Sequence, residues 1–376
     1  MKVVIIIPTY NERENTDKMI DILADILPQI PDHQVEVLYV DDSSPDGTAQ
    51  VIKSFQKHYK WLHLLEGNAK QGLGSAYARG MRYAMKDMHA DYLMEFDADF
   101  QHPPQDIPRL IAEINHGYDY IIGSRYIAGG SIPAHWGGNR KLLSVGGNLF
   151  ARFALLMPQI HDVTGGFRLS RVKGFMDRFD FSTLLSRQFA YKIHLLAYMV
   201  NAGAKVREVP FHFAARTSGD SKIMKNEMKE TLRVIFLYQT KNPQVRRFFK
   251  FAVVGFVGYL VNAGTLQLFT VWKWGSVAVW GISTELAIIS NFVWNNVWTF
   301  SDQKITGPGK LAYKFFQFNL TSMGGLLIQT VVGTLSDWLL HTTHYRQLVL
   351  AFAIVCLVLP YNYLMYTLVI WRQKKN

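Results

Sequence analysis

The sequence predicts a two-part protein, in which a mostly parallel α/β sheet domain precedes an all-α domain of membrane-spanning helices. The first observation is an alternation of short apolar runs with amphipathic helical patterns in the N-terminal half, which is typical of α/β folds. The second is a sharp rise in apolar and aromatic content after residue 245. That rise explains how 49% hydrophobic residues coexist with 40 lysines and arginines. The third is the presence of basic residues beside the late apolar segments.

Four strand patterns precede loops that carry polar or glycine residues. They lie at residues 3–7, 36–40, 62–66 and 92–96. The loops after them carry Glu12, the pair Asp41 and Asp42, the glycines of 72–74, and Asp97 with Asp99. Because the carboxyl ends of parallel strands meet at one edge of a sheet, we expect these loops to form one nucleotide-sized crevice. The first loop lacks G-x-G-x-x-G, which argues against a dinucleotide fold.

Two local features of these loops carry further predictions. The run Asp-Ala-Asp-Phe-Gln at 97–101 places two carboxylates and an amide oxygen in one turn after a buried strand. Oxygen ligands of this kind suit Mg²⁺ or Mn²⁺, which often complete their coordination with substrate phosphates. The run therefore predicts a metal–diphosphate site. After the second strand, Thr48 is predicted to cap the following helix.

Four apolar stretches at 249–271, 277–300, 313–340 and 347–371 are each long enough to cross a bilayer, which takes about 20 residues. Basic residues precede the first stretch, separate the second from the third and follow the fourth. This bias predicts that both termini and the first domain are cytoplasmic. The net charge of +11 is then explained by membrane lipids and phosphate substrates, without nucleic acid. The single cysteine, Cys356, excludes an intrachain disulfide and is predicted to lie in a core.

Five motifs resemble those of the family 2 glycosyltransferases, and more narrowly those of the dolichyl/polyprenyl-phosphate mannose synthases. They are Pro-Thr-Tyr-Asn-Glu at 8–12, Asp-Asp-Ser-Ser-Pro-Asp-Gly-Thr at 41–48, the run at 97–104, Gly-Ser-Arg-Tyr at 123–126 and Thr-Gly-Gly-Phe-Arg at 164–168. The membrane half, with Ser-Asn-Phe at 290–292 and Trp-Thr-Phe at 298–300, resembles the GtrA-like four-helix domain. The resemblance implies a GT-A fold and covers nearly the whole chain.

The resemblance also implies roles for matching positions. The donor nucleoside would be held by Pro8, Tyr10, Glu12, Val40 and Asp42. The metal and diphosphate site would consist of Asp97, Ala98, Asp99 and Gln101, with Asp99, Gln101 and Asp97 as the metal residues. Lys192 would lie near the donor, and Arg216 and Lys222 would belong to a basic loop that closes over its phosphates. The acceptor phosphate would meet Arg125, Arg140 and Ser144, so that Asp99, Asp97 and Arg125 are the predicted catalytic residues.

The implied reaction is transfer of mannose from GDP-mannose to a polyprenyl (dolichyl) phosphate, with Mg²⁺ or Mn²⁺ as cofactor and inversion at the anomeric carbon. A phosphate monoester has a second pKa of about 6, so this acceptor needs no general base. UDP-glucose remains the alternative donor, because Ala190 stands where relatives often have glycine. A lipid-sugar flippase with a nucleotide-binding domain is the alternative of another class. The membrane half lacks the broken, repeated helices typical of transporters.

Three segments follow from these expectations. Residues 1–223 form the catalytic domain, 224–245 an amphipathic linker helix and 246–376 the membrane domain. Within the first segment, residues 140–157 place apolar and basic side chains at helical spacing. Such helices lie on anionic headgroups, so this one would let the lipid phosphate enter the site from the bilayer. The sequence leaves homo-oligomerisation open.

Overall fold

A computed structural model describes residues 1–214, 225–273, 276–340, 348–349 and 352–372. The chain separates into two compact units, Met1–Gln239 and Thr240–Asn376. Arg216, Lys222 and the C-terminal Lys374 and Lys375 lie outside the described residues.

The first unit alternates strands and helices, as the sequence patterns predict. Its elements in chain order are β1 (Lys2–Thr9), α1 (Arg13–Ile26), β2 (Gln34–Asp41), α2 (Thr48–Phe55), β3 (Leu62–Glu66), α3 (Leu73–Lys86), β4 (Tyr92–Glu95), α4 (Ile107–Ala112), β5 (Tyr120–Ser124), α5 (Gly138–Ala154), β6 (Arg168–Arg171), α6 (Tyr191–Asn201), β7 (Val206–Pro210) and α7 (Lys225–Lys241).

The seven strands form one sheet in the order β3-β2-β1-β4-β6-β5-β7. Every neighbouring pair is parallel except those made by β6, which runs antiparallel to both β4 and β5. The mostly parallel sheet predicted from the sequence is therefore confirmed. The strand order reverses between β1 and β4, and ligands of open α/β sheets bind at such a switch point beyond the strand carboxyl ends.

Helices cover both faces of the sheet, and β1 shows why its sequence is apolar throughout. Val4 and Ile6 enter one buried cluster, while Val3, Ile5 and Ile7 enter the other. Alternate residues of a strand point to opposite faces, so a strand buried on both sides has no polar position. The first unit therefore has two cores, and its polar groups collect beyond the strand ends.

The start of α2 differs from the prediction that Thr48 caps it. The helix begins at Thr48 itself, preceded by Gly47 at φ 91°. The capping acceptor is the Asp46 carboxylate, whose Oδ1 receives the Thr48 N–H at 3.0 Å and the Thr48 hydroxyl at 2.6 Å. The prediction was wrong because an earlier acidic residue in the same loop satisfies the orphan N–H.

The second unit is helical in its described part. Its helices are α8 (Pro243–Val271), α9 (Ser276–Trp294), α10 (Pro308–Leu340) and α11 (Ala353–Ile370). Three segments in the described ranges are long and apolar enough to cross a membrane: Pro243–Val271, Pro308–Ser336 and Ala353–Ile370. The fourth predicted span, residues 277–300, coincides with α9 and a π-helical turn at Asn295–Thr299, and its crossing remains a prediction.

Asn296, a polar residue within the second predicted span, accepts hydrogen bonds from two other parts of this unit. The Asn296 amide accepts the Ile305 N–H at 2.7 Å and the Trp371 indole N–H at 3.1 Å. Trp371 also stacks on Phe300 at 4.5 Å between centroids. This asparagine therefore joins the end of α9 to the end of α11. Cys356, by contrast, lies exposed on α11, which corrects the prediction of a core thiol.

Candidate active site

The loops after β1 and β2 are held together by a buried carboxylate. Asp41 is 1% exposed and accepts hydrogen bonds from the Thr9 hydroxyl at 3.1 Å and the Ser44 N–H at 2.9 Å. The next residue, Asp42, turns toward α3, where its Oδ1 accepts from Arg79 Nη2 at 2.6 Å. Asp41 therefore holds the two loops together, and Asp42 ties the second of them to α3.

The remaining residues of the predicted nucleoside site gather around these two loops. The backbone N–H of Glu12 donates to the Thr48 hydroxyl at 3.2 Å, and the Lys70 ammonium lies 4.0 Å above the Tyr10 ring. Pro8, at the end of β1, pairs with Val40 of β2. The Val40 side chain is fully buried in the core, so a contact from this position comes from its backbone.

Asp97 lies among three side chains in the loop after β4. Its carboxylate accepts from the Tyr77 hydroxyl at 2.8 Å, and lies 3.5 Å from Lys192 Nζ and 3.7 Å from His102 Nδ1. Burial alone would raise the pKa of Asp97, but the neighbouring lysine and histidine hold it below its ordinary value. It is therefore a carboxylate at neutral pH. Tyr77 and Arg79 stand two residues apart on α3, so this helix holds both Asp97 and Asp42.

The same loop carries the other predicted metal residues. Phe100 adopts φ 58°, and the turn brings the Gln101 N–H to 3.1 Å from Asp99 Oδ1. Asp99 is 7% exposed and the intervening Ala98 is 4% exposed. No group of three or more His, Cys, Asp or Glu side chains in the described ranges is arranged to hold a metal. Asp99, Gln101 and Asp97 carry oxygen ligands of the kind that a hard divalent cation takes, although the two Asp97 oxygens also face Tyr77, Lys192 and His102.

Lys192 is the least conventional group of the site. Its side chain is fully buried, yet its ammonium has no hydrogen-bond partner among the described residues. Gly166 leaves space for it, because an added Cβ there would lie 2.0 Å from Nζ. The Asp97 carboxylate at 3.5 Å offsets part of the cost of burying this charge, and a ligand with acceptor oxygens would offset more of it.

A buried polar network lies beneath Lys192. Arg168 donates to the Tyr120 hydroxyl at 3.1 Å, to the Val163 carbonyl at 2.8 Å and to the carbonyl of Lys192. Tyr191 donates to Glu95 in strand β4. Burial raises the pKa of Glu95, and the nearby Arg168 and Lys192 charges oppose that rise. The network thus fixes the first turn of α6, which carries Lys192, against the sheet.

On the other side of the site, Arg125 is held by a carboxylate that the sequence interpretation missed. Asp162 is fully buried and accepts three hydrogen bonds from Arg125. Two come from the side-chain Nε and Nη2, both at 2.8 Å, and one from the Arg125 backbone N–H at 3.0 Å. Nη2 also donates to the Thr164 hydroxyl at 2.9 Å. Burial would raise the pKa of Asp162, but Arg125 holds it below its ordinary value. These bonds to Nε and Nη2 therefore fix the orientation of the Arg125 guanidinium.

The other two predicted acceptor residues lie on α5 and connect to Arg125 through an aromatic ring. The Ser144 hydroxyl is 2.6 Å from the Tyr126 hydroxyl, and the Arg125 guanidinium lies 5.0 Å from the Tyr126 ring centroid. Arg140 lies 4.1 Å above the Trp136 ring. The structure thus brings Arg125 and Ser144 together and places Arg140 one turn before Ser144 on the same helix. Arg216 and Lys222 of the predicted basic loop lie outside the described residues.

Several residues that build this site carried no motif. Tyr77, Arg79, Glu95, Asp162 and Tyr191 act on partners between 20 and 96 positions away in the chain. Of these five residues, only Asp162 could have been found from the sequence. It lies two residues before the Thr-Gly-Gly-Phe-Arg motif and is the acidic residue closest to it.

Helix α5 exposes many large apolar side chains. Six large apolar side chains of this helix are exposed to between 46% and 72%: Leu142, Leu143, Val145, Leu149, Phe150 and Phe153. On α7, Met228, Leu232 and Phe236 are similarly exposed, while the Gln239 amide donates to the carbonyl of Ala154 at the end of α5. Both helices thus carry large apolar side chains on the outside of this unit, and the hydrogen bond joins them near their C-terminal ends. Exposed apolar side chains grouped on a helix in this way mark an interaction surface.

Comparisons with known proteins match each unit of the chain to a known family or domain. Residues 4–179 match the model of glycosyl transferase family 2, and residues 250–371 match that of the GtrA/DPMS transmembrane domain. The dolichol-phosphate mannosyltransferase of Pyrococcus furiosus is 34% identical over 88% of this chain and 90% of its own length. The polyprenol monophosphomannose synthase of Mycolicibacterium smegmatis is 35% identical over 61% of this chain and 84% of its own.

Among solved structures, mannosyl-3-phosphoglycerate synthase from Rubrobacter xylanophilus matches 62% of this chain and 73% of its own, with a TM-score of 0.47 and 16% identity. The curated relative from Pyrococcus furiosus spans both units of the chain. The α/β unit is therefore a glycosyltransferase domain and the helical unit a membrane domain. The chain belongs to the family 2 glycosyltransferases, in the group of dolichyl/polyprenyl-phosphate mannose synthases that carry a GtrA-like membrane domain.

Proposed function

We propose that the protein transfers mannose from GDP-mannose to a polyprenyl (dolichyl) phosphate in the membrane, giving a polyprenyl phosphate β-mannose. The names of the relatives support the mannosyl group and the lipid acceptor. The observation in this chain that carries the proposal is the buried Lys192 ammonium, which pairs with the Asp97 carboxylate at 3.5 Å but makes no hydrogen bond to well-placed acceptors among the described residues. The diphosphate of a sugar nucleotide would supply those acceptors.

The donor half of the site neutralises the leaving group. As the glycosidic bond breaks, negative charge builds on the diphosphate, and fixed cations aimed at it lower the barrier. Lys192 is one such cation, and Arg216 and Lys222 are proposed as others. Asp99, Gln101 and Asp97 would hold Mg²⁺ or Mn²⁺, which supplies further positive charge at the diphosphate oxygens. The carboxylate of Asp42 and the ring of Tyr10 would receive the nucleoside.

The acceptor half needs to attract an anion rather than to activate it. A phosphate oxygen of the lipid attacks the anomeric carbon, the bond from that carbon to the diphosphate oxygen breaks, and the nucleoside diphosphate leaves with the electron pair. No proton is transferred, because the phosphate is already ionised near neutral pH. Arg125, Arg140 and Ser144 would bind this phosphate. A single displacement inverts the configuration, so an α-linked donor yields a β-linked product.

The exposed apolar residues of α5 and α7 would lie in the headgroup region of the membrane. An amphipathic helix there brings the lipid phosphate to Arg140 and Ser144 without extracting the polyprenyl chain. Four membrane crossings, cytoplasmic termini and the division at residues 223 and 245 belong to the same proposal. Basic residues such as Arg246 and Lys250 support this orientation.

The test is the transfer of radiolabel from donor sugar into an organic phase by purified protein in polyprenyl-phosphate vesicles. We expect label to move from GDP-mannose, to depend on Mg²⁺ or Mn²⁺, and to stop when EDTA is added. UDP-glucose in a parallel reaction serves as the competing donor. Label moving only from UDP-glucose, or undiminished in EDTA, would contradict the proposal. The anomeric configuration of the product, measured by NMR, tests inversion.

A further inference from the structure

Two aromatic residues link the arginines proposed to bind the acceptor phosphate. The Phe213 and Trp136 rings meet edge to face with centroids 5.9 Å apart. Arg125 lies 5.3 Å from the Phe213 centroid, and Arg140 lies 4.1 Å from the Trp136 centroid. We call Phe213 and Trp136 the aromatic bracket. It connects two arginines that come from different elements, the loop after β5 and the first turn of α5.

The bracket is anchored to the donor side by backbone hydrogen bonds. The Phe213 N–H donates to the Ser131 carbonyl at 3.0 Å, and the adjacent Ala214 N–H donates to the carbonyl of Gln101 at 3.0 Å. The Phe213 ring also lies 6.0 Å from the His102 ring. Phe213 is therefore fixed directly beside the loop that carries the predicted metal residues.

The chemistry of the bracket suits arginines that must meet a phosphate. A carboxylate that orients an arginine also cancels much of its charge, as Asp162 does for Arg125. An aromatic face attracts the guanidinium and sets its plane, and it carries no net charge that would cancel the charge of the arginine. Trp136, at 8% exposure, is a buried and rigid support of this kind.

We propose that Trp136 and Phe213 are positioning residues that set the orientation of Arg140 and its separation from Arg125, which Asp162 orients, and thereby determine affinity for the acceptor phosphate. This inference rests on the proposed function. It assigns the bracket no contact with the reacting atoms. Loss of either ring weakens the binding of the lipid phosphate and leaves the binding of the sugar nucleotide intact.

The experiment compares Trp136→Leu and Phe213→Leu with Trp136→Phe in the full-length enzyme. KM is measured for the donor and for two acceptors, a long polyprenyl phosphate and a short-chain isoprenyl phosphate. We expect the leucine variants to raise KM by about tenfold for both acceptors, the loss expected for one desolvated cation–π contact, with the donor KM unchanged. Trp136→Phe keeps a ring under Arg140 and should restore most of the affinity.

The matched control is Phe181→Leu, which removes a ring 5.9 Å from Arg82 elsewhere in the same unit and should leave both KM values unchanged. An unchanged acceptor KM in Trp136→Leu would overturn the inference. So would a loss confined to the long acceptor, which would indicate a contact with the lipid chain. If the wild-type enzyme transfers no sugar to either acceptor, the proposed function fails first, and the two failures are thus distinguishable.

Discussion

The loops at the carboxyl edge of the sheet and the outer face of α5 differ in the kind of side chain that each buries or exposes. At the sheet edge charged groups are buried and paired: Asp41 is 1% exposed, and Asp162 is fully buried against Arg125. On α5 apolar groups are left in contact with solvent, with Leu142 at 72% and Phe153 at 61% exposure. The first region holds ions in a protein environment. The second has the surface expected of a helix that meets lipid, and a sugar passing from a nucleotide to a lipid needs both.

The largest effect is expected from Asp99→Asn, which tests the proposed metal site at the sheet edge. The change removes a charge from the proposed metal site at almost constant shape, and we expect kcat to fall by about 10³-fold or more. Asp180→Asn, which alters an exposed aspartate that accepts from Ser182, is the control and should retain activity. Near-normal turnover by Asp99→Asn would remove the metal-site proposal.

Lys192→Met tests the role of the buried ammonium that lies beside Asp97. The methionine keeps an unbranched chain in the space above Gly166 but removes the charge, so we expect kcat to fall by about 10²-fold. Single-turnover kinetics separate this loss from changes in donor binding. A variant with unchanged kcat would show that the ammonium does not face the diphosphate in the transition state.

The α5 half of the comparison is tested by the double variant Leu142→Glu and Phe153→Glu. Both side chains are mainly exposed, so the fold should survive while contact with lipid is lost. We expect KM for polyprenyl phosphate in vesicles to rise by about tenfold, because carboxylates disfavour the headgroup region. KM for a short, soluble isoprenyl phosphate should not change. Asn139→Glu, on the exposed first turn of the same helix, is the matched control.

A smaller effect concerns stability and its pH dependence. Asp162→Asn leaves Arg125 buried without its counter-ion, which should cost about 3 kcal/mol of unfolding free energy at neutral pH. Against the rise that burial would cause, Arg125 lowers the folded-state pKa of Asp162 from its ordinary value of 3.8, so the stabilisation by the ion pair is present above that value. It is lost as pH falls through the lower folded-state value.

The thermal midpoints of wild type and Asp162→Asn should therefore differ by a constant amount from pH 8 to pH 5 and should converge in stronger acid. Glu230→Gln, which breaks the exposed i,i+3 pair with Arg233, is the control and should cost less than about 1 kcal/mol. A gap between wild type and Asp162→Asn that widens in acid would contradict the assigned pairing.

The same two regions show what could be predicted from the sequence. The alternating patterns located β3 at its observed residues, and the local motifs at 8–12 and 97–101 lie where the strands end. The antiparallel insertion of β6 between β4 and β5 was not predicted, because strand order depends on contacts far apart in the chain. The partners Tyr77 for Asp97 and Asp162 for Arg125 were missed for the same reason.

The predicted helix at residues 140–157 overlaps α5, Gly138–Ala154, because its signal is local, but the prediction runs three residues past the observed end of the helix. Apolar and basic residues at helical spacing need only the periodicity of one helix to be recognised. What the pattern could not show is that Arg140 stacks on Trp136, since the ring lies before the helix and its orientation depends on Phe213 from the far end of the sheet.

The most direct test of the account is a structure of the full-length enzyme with Mn²⁺ and GDP-mannose, with the metal located by anomalous scattering. The account predicts Mn²⁺ beside the Asp99 carboxylate and the Gln101 amide, with Lys192 Nζ within hydrogen-bond distance of a diphosphate oxygen. Manganese bound elsewhere, or a diphosphate out of reach of Lys192, would contradict it.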